Sequence, residues 1–130
     1  MARGEYAESL CGVYVLLVDG KATRRQLLRE VFLHCGALVR EAADAKAARD
    51  VLREVTPSVL VLAVQPPGDD AWGLLRFVRS MRLEHGAKMP IIGAGPAALA
   101  AAGRMNGMDA FVMEPVDAWA LSRVVADLAS

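Results

Sequence analysis

Val59-Leu60-Val61-Leu62-Ala63-Val64 decides the fold. The six residues are apolar and mostly branched, bounded by Pro57 before and Gln65-Pro66-Pro67-Gly68-Asp69-Asp70 after. An unbroken apolar run between turn signals predicts a strand buried on both faces, as in a parallel sheet. Open parallel sheets gather ligands and chemistry at the carboxyl ends of their strands. Ala63 and Val64 stand at that end, and the Ala63 methyl offers no nucleophile, no metal ligand and no proton.

The flanking sequence repeats the pattern. Val13 to Val18 is a second apolar strand, ending at Asp19-Gly20. A helix follows, with Thr23 as its expected cap, Leu27, Leu28, Val31 and Phe32 on one stripe, and Gly36 beyond its end. Leu38 to Ala42 is a short strand, and Asp44 caps a helix that presents Ala47, Ala48, Val51, Leu52 and Val55 inward before Pro57. Beyond the central strand, helical spacing runs from Ala71 to Arg82, with Asp69 and Asp70 expected as solvated loop acids. Ile91 to Ala94 is a strand, Ala97 to Asn106 a small-residue helix closed by Gly107, and Ala110 to Met113 the fifth strand. Asp117 caps a last helix carrying Leu121, Val124, Val125 and Leu128. Five strands alternating with five helices call for an α/β domain, helices on both faces of a parallel sheet. Residues 1–12 read as a lead-in and 13–130 as one domain.

Bulk properties narrow the function. A chain of 130 residues, 55% hydrophobic, supports one core and not two. Fifteen basic and fifteen acidic residues cancel, so the broad positive field of a nucleic-acid binder is missing. No apolar stretch reaches membrane-spanning length, and Met1 to Glu5 begins no secretory signal, so no membrane association and a cytoplasmic location are expected. Cys11 and Cys35 lack metal spacing and read as reduced thiols.

The order of motifs resembles the response-regulator receiver domain, the CheY-like family. Val15-Leu16-Leu17-Val18-Asp19, Pro57 through Gly68, Pro90-Ile91-Ile92 and Phe111-Val112-Met113-Glu114-Pro115-Val116-Asp117 carry the resemblance, which runs from Val13 to about Leu128. It implies a flavodoxin-like, doubly wound sheet in the order 2-1-3-4-5. It also implies a phosphorylation site whose members can be checked one by one. Receivers carry two acids after the first strand, a phosphoacceptor Asp ending the third, a hydroxyl residue ending the fourth and a Lys ending the fifth. The acids and the phosphoacceptor bind Mg²⁺, and metal and Lys neutralise phosphoryl oxygens. Asp19 matches the first acid, but Gly20 replaces the second, Ala63 the phosphoacceptor, Gly95 the hydroxyl residue and Glu114 the Lys. The resemblance therefore implies a pseudo-receiver: no enzyme, no phosphotransfer by the ordinary route, no cofactor.

Asp19 and Glu114 should face each other across the carboxyl edge. Two side-chain ligands make a poor Mg²⁺ site, so no metal is expected, and Lys21, Arg24 and Arg25 are the candidates for balancing the two charges. Ile92-Gly93-Ala94-Gly95-Pro96-Ala97 is similar to a dinucleotide fingerprint, but only one strand and one helix follow it, where such motifs open a fold. Close packing is the simpler reading; a phosphate-bearing small ligand near Gly93–Ala97 is the alternative. His34 and His85 lack companion ligands, Trp72 fits a core position, and Arg49, Arg53, Arg76, Arg79 and Arg82 read as solvated faces.

The expected function is a phosphorylation-independent protein-interaction module in a signalling pathway. Its face would be the fourth helix, fifth strand and fifth helix, with Phe111, Trp119, Leu99 and Arg104, and with a homodimer as one use. Phe111 matches the family's switch aromatic, while Gly95 lacks the hydroxyl that would draw it inward. Trp119, in the first turn of the last helix, is expected to be exposed there.

Overall fold

The computed structural model describes residues 9–65, 69–81 and 88–129. Strands β1 (Tyr14–Val18), β2 (Leu38–Ala42), β3 (Val59–Ala63), β4 (Ile91–Gly95) and β5 (Ala110–Met113) alternate with helices α1 (Ala22–His34), α2 (Ala45–Glu54), α3 (Asp69–Ser80), α4 (Ala100–Met105) and α5 (Ala118–Ala129). The strands form one parallel sheet in the order β2-β1-β3-β4-β5. This is the expected flavodoxin-like, CheY-like arrangement.

Side-chain alternation along the central strands divides the core into two layers. Leu16 and Val18 of β1, with Leu60 and Leu62 of β3, pack with Leu52, Leu74, Leu75 and Val78 of α2 and α3. Val15, Leu17, Val59 and Val61 pack on the other face with Leu28, Phe32, Leu121 and Val125 of α1 and α5. Both faces of β3 are therefore covered, which is why its sequence reads as a continuous apolar run.

Helix ends follow their local chemistry. Asp44 accepts from the Ala47 N–H at 2.8 Å, and Asp117 from those of Trp119 and Ala120 at 2.9 and 3.2 Å. α1 ends at Gly36 (φ 96°), the Ala37 N–H reaching Phe32 O at 3.1 Å; α4 ends likewise at Gly107 (φ 105°), with Met108 N–H to Gly103 O at 3.0 Å. Each glycine takes the left-handed conformation that closes its helix.

Several boundaries differ from expectation. Leu10 is fully buried in the α1/α5 layer and its N–H donates to Cys35 O at 2.8 Å, so the packed domain begins before Val13, inside the expected lead-in. Thr23 is not the cap of α1; Lys21 occupies that place without a side-chain cap, since its ammonium has no acceptor to offer, and its own N–H is held by Asp19 Oδ1 at 2.9 Å. Asp69 and Asp70 lie in the first turn of α3 rather than in a loop. The expected helix from Ala97 is a 3₁₀ turn, Ala97–Leu99, before a six-residue α4. Arg79 is a tie, not a solvated face. It donates to Met89 O at 2.7 Å, Gly107 O at 2.5 Å and Asp109 Oδ2 at 2.9 Å, binding α3 to the chain around β4 and β5. His85 and Arg82 lie outside the described residues.

Candidate functional site

The carboxyl edge of the sheet is assembled by strand register. Val18 pairs with Leu62, Ala63 with Ala94, and Gly95 with Met113, so Asp19, Ala63, Gly95 and Glu114 fall along one rim. Glu114-Pro115 is a cis peptide. The sequence brings these positions together as expected; what fills the rim is a side chain from α1.

Arg24 spans it. Its Nε donates to Asp19 Oδ2 at 2.5 Å and its Nη2 to Asp19 Oδ1 at 3.0 Å, a two-pronged ion pair. Its Nη1 donates to Glu114 Oε2 at 3.1 Å. Asp19 is fully buried and the Arg24 side chain only 16% exposed, so solvent screens this contact weakly. The Asp19 hydrogen bonds and charge raise the Arg24 pKa above the ordinary guanidinium value, outweighing desolvation, with Glu114 adding to the effect. Lys21 Nζ stands 3.9 Å from Glu114 Oε2, a looser and more exposed pair. Arg25 turns the other way, donating to Asp19 O at 2.7 Å and to Glu41 at 3.3 Å. Of the three candidate cations, one joins both acids.

Strands β3 and β4 lie between β1 and β5, a separation of roughly 14 Å at ~4.8 Å per strand. The Arg24 guanidinium therefore bridges acids that follow β1 and β5, on the rim where Ala63 ends β3 with a methyl. The Mg²⁺ site that the fold family implies does not fit these residues. The position a cation would use beside Asp19 is filled by the two Arg24 nitrogens, and no group of three metal-ligating side chains occurs among the described residues.

The second feature is the space around Phe111, which is only 8% exposed. The hydroxyl that would draw it inward is missing at Gly95, yet the ring is buried, and two other glycines account for this. A Cβ on Gly93 would stand 2.1 Å from Met108 Sδ and 3.0 Å from the Phe111 ring; one on Gly103 would stand 2.6 Å from Met108 Sδ and 3.1 Å from Phe111. The missing side chains leave the volume that Met108 and Phe111 occupy. Aromatic burial follows from packing, without a hydroxyl.

The remaining face residues do not form one patch. Leu99 belongs to the α2/α3/α4 layer, whereas Trp119 packs in the α1/α5 layer on the opposite side of the sheet. Trp119 is half-buried, its ring meeting His34 of α1 edge-on at 5.5 Å, in a groove with Leu27, Glu30 and Val31. Its helix-start position predicts exposure; the rotation of α5 turns it onto α1 instead. Arg104 is exposed. The exposed large apolar residues along α4 and β5 are Met105 at 87% and Met113 at 55%. Met105 lies two residues beyond the buried Gly103, off the inward side of α4, whereas Met113 ends β5 on the same strand face as the buried Phe111, so strand alternation does not mark it as exposed.

The comparisons agree with this architecture. No family model matches the chain. A 14.6 kDa protein of Leptolyngbya boryana encoded in the sodA1 3' region, uncharacterised, is 31% identical over 121 residues, 91% of each chain. A Burkholderia thailandensis protein-glutamate methylesterase/protein-glutamine glutaminase is 37% identical over 73 residues, 55% of this chain; the match spans only a fifth of that enzyme's length. Among solved structures, the chemotaxis response regulator CheY4 of Vibrio cholerae superposes with a TM-score of 0.77 at 20% identity, over 89% of this chain and 98% of that one. The fold is that of the response-regulator receiver domains. The chain belongs to one family with the Leptolyngbya protein, and it is a CheY-like receiver-fold domain.

Proposed function

We propose that the chain is a pseudo-receiver of two-component signalling, a phosphorylation-independent protein-interaction module and not an enzyme. One observation carries the reading: the Arg24 guanidinium binds both Asp19 and Glu114 on the rim where Ala63 has no carboxylate. Phosphoryl transfer needs a nucleophile and a metal at that place, and neither has a position to occupy. The test is incubation with a small phosphodonor and Mg²⁺, followed by intact mass. No phosphoryl adduct is expected; an adduct at any carboxylate would overturn the reading.

Recognition then falls to surface that needs no chemical trigger. The α4–β5–α5 face carries Arg104 with Met105 and Met113, exposed apolar groups beside charge, as a protein partner or a second copy would use. The balanced charge favours a protein over nucleic acid. No described helix is long and apolar enough to cross a membrane, and the cytoplasm is the proposed location. The small-ligand alternative at Gly93–Ala97 has less support, because the space its glycines open is already filled by Met108 and Phe111.

A further inference from the structure

We infer that Arg24 is a resident substitute for a divalent cation: its guanidinium neutralises Asp19, where a metal would bind, and ties that acid to Glu114 at the far end of the carboxyl edge. The inference rests on the reading of the site as non-phosphorylatable and goes further, assigning the lost metal's structural role to a named group. Three features support it. The Arg24 fork contacts both oxygens of Asp19, the acid whose position matches a metal ligand, and puts a positive group where an ion would bind. The third guanidinium nitrogen reaches Glu114, beyond β3 and β4, so the contact links β1 to the β5–α5 turn. Finally, Glu114 stands where the family has a cation, so the sign of the rim is inverted: two acids enclose a basic centre.

Replacing Arg24 with a neutral residue would leave two carboxylates facing the space that the guanidinium filled. A buried carboxylate without its partner is costly, and mobile cations are then the available source of charge. The substitution should therefore create a dependence on divalent ions that the unaltered chain lacks.

The experiment measures the Tm of the purified chain and of Arg24→Gln and Arg24→Lys, in millimolar MgCl₂ and in EDTA with KCl at equal ionic strength. The unaltered chain should melt at one temperature in both. Arg24→Gln, chosen over alanine because it keeps a donor for Asp19, should lose at least ~4 °C in EDTA, the shift of about 1 kcal/mol in a domain near this size, and recover part of it in Mg²⁺. Arg24→Lys keeps the charge without the fork and should be less stable yet indifferent to Mg²⁺. A Mg²⁺ response in the unaltered chain would overturn the inference, since a metal would then be binding despite Arg24. A loss in Arg24→Gln that Mg²⁺ does not relieve would also overturn it, reducing Arg24 to an ordinary ion pair. If neither neutral variant nor Arg24→Lys folds, the Mg²⁺ response of the unaltered chain still decides. A phosphoryl adduct would defeat the function proposed above without altering these melting results, so the two failures are distinguishable.

Discussion

Gly95 lies so close to Val64 that a side chain on it would put its Cβ 2.8 Å from the Val64 carbonyl oxygen. That oxygen is backbone, held between β3 and β4 by the ladder in which Val64 N–H meets Ala94 O at 2.7 Å, so it cannot swing aside as a flexible side chain would. The hydroxyl residue of working receivers is therefore refused by the local backbone as well as absent. Gly95→Ser should lower unfolding free energy by about 1–3 kcal/mol, the usual cost of overpacking, as read by urea denaturation. An unchanged midpoint would show that β4 can shift to admit the side chain.

Ala63→Asp restores the phosphoacceptor type on the same rim as the Arg24 bridge. The new carboxylate should be drawn into ion pairing with the guanidinium rather than left free to attack phosphorus. Intact mass after treatment with phosphodonor and Mg²⁺ should show no adduct in this single variant. Rapid phosphorylation would mean that Arg24 leaves the rim readily.

The charge on Arg24 is not a pH switch. Its pKa is raised on folding, so its stabilisation is present at lower pH and is lost only as pH rises through the elevated, strongly alkaline value. Arg24→Ala should cost about 3–5 kcal/mol, the range for breaking a buried pair. That difference from the unaltered chain should be flat across neutral and moderately alkaline pH. A difference that fades over this range would contradict a permanently charged bridge.

Trp119 now predicts stability as well as contact. Its ring is half-buried against His34 and the α1 side chains, so Trp119→Ala should destabilise by roughly 1–3 kcal/mol through lost burial and an unfilled groove. Thermal melting checks this directly; an unaltered Tm would place the ring in solvent.

Met105 and Met113 make the opposite prediction. Both are exposed, so Met105→Lys and Met113→Glu should change stability by less than about 0.5 kcal/mol. Each should weaken self-association or partner binding through the α4–β5–α5 face, measured by analytical ultracentrifugation or by titration against a captured partner. Undiminished association would move the interface elsewhere.

The strands and their order were legible because burial on both faces writes itself as unbroken apolar runs, and because Gly36 and Gly107 mark helix ends by a conformation few other residues adopt. The candidate site was half legible. Register places Asp19 and Glu114 on one rim whatever their partners are, but Lys21, Arg24 and Arg25 are equivalent as letters. Only the helical rotation of α1 aims the second at both acids and the third at Glu41. Trp119 was misplaced for the same reason: the start of a helix fixes where a residue lies along the axis, not which neighbour it meets. The burial of Phe111 depends on what Gly93 and Gly103 lack, and an absent side chain leaves a volume that a linear sequence does not display.

Arg24 and Glu114 are 90 positions apart in the chain. A contact absent from the folding transition state governs how slowly a native chain opens rather than how quickly it forms. The bridge is predicted to be such a contact, so Arg24→Gln should unfold faster at a nearly unchanged folding rate. The bridge is then a matter of lifetime: a partner meets a surface whose persistence is set by the unfolding rate.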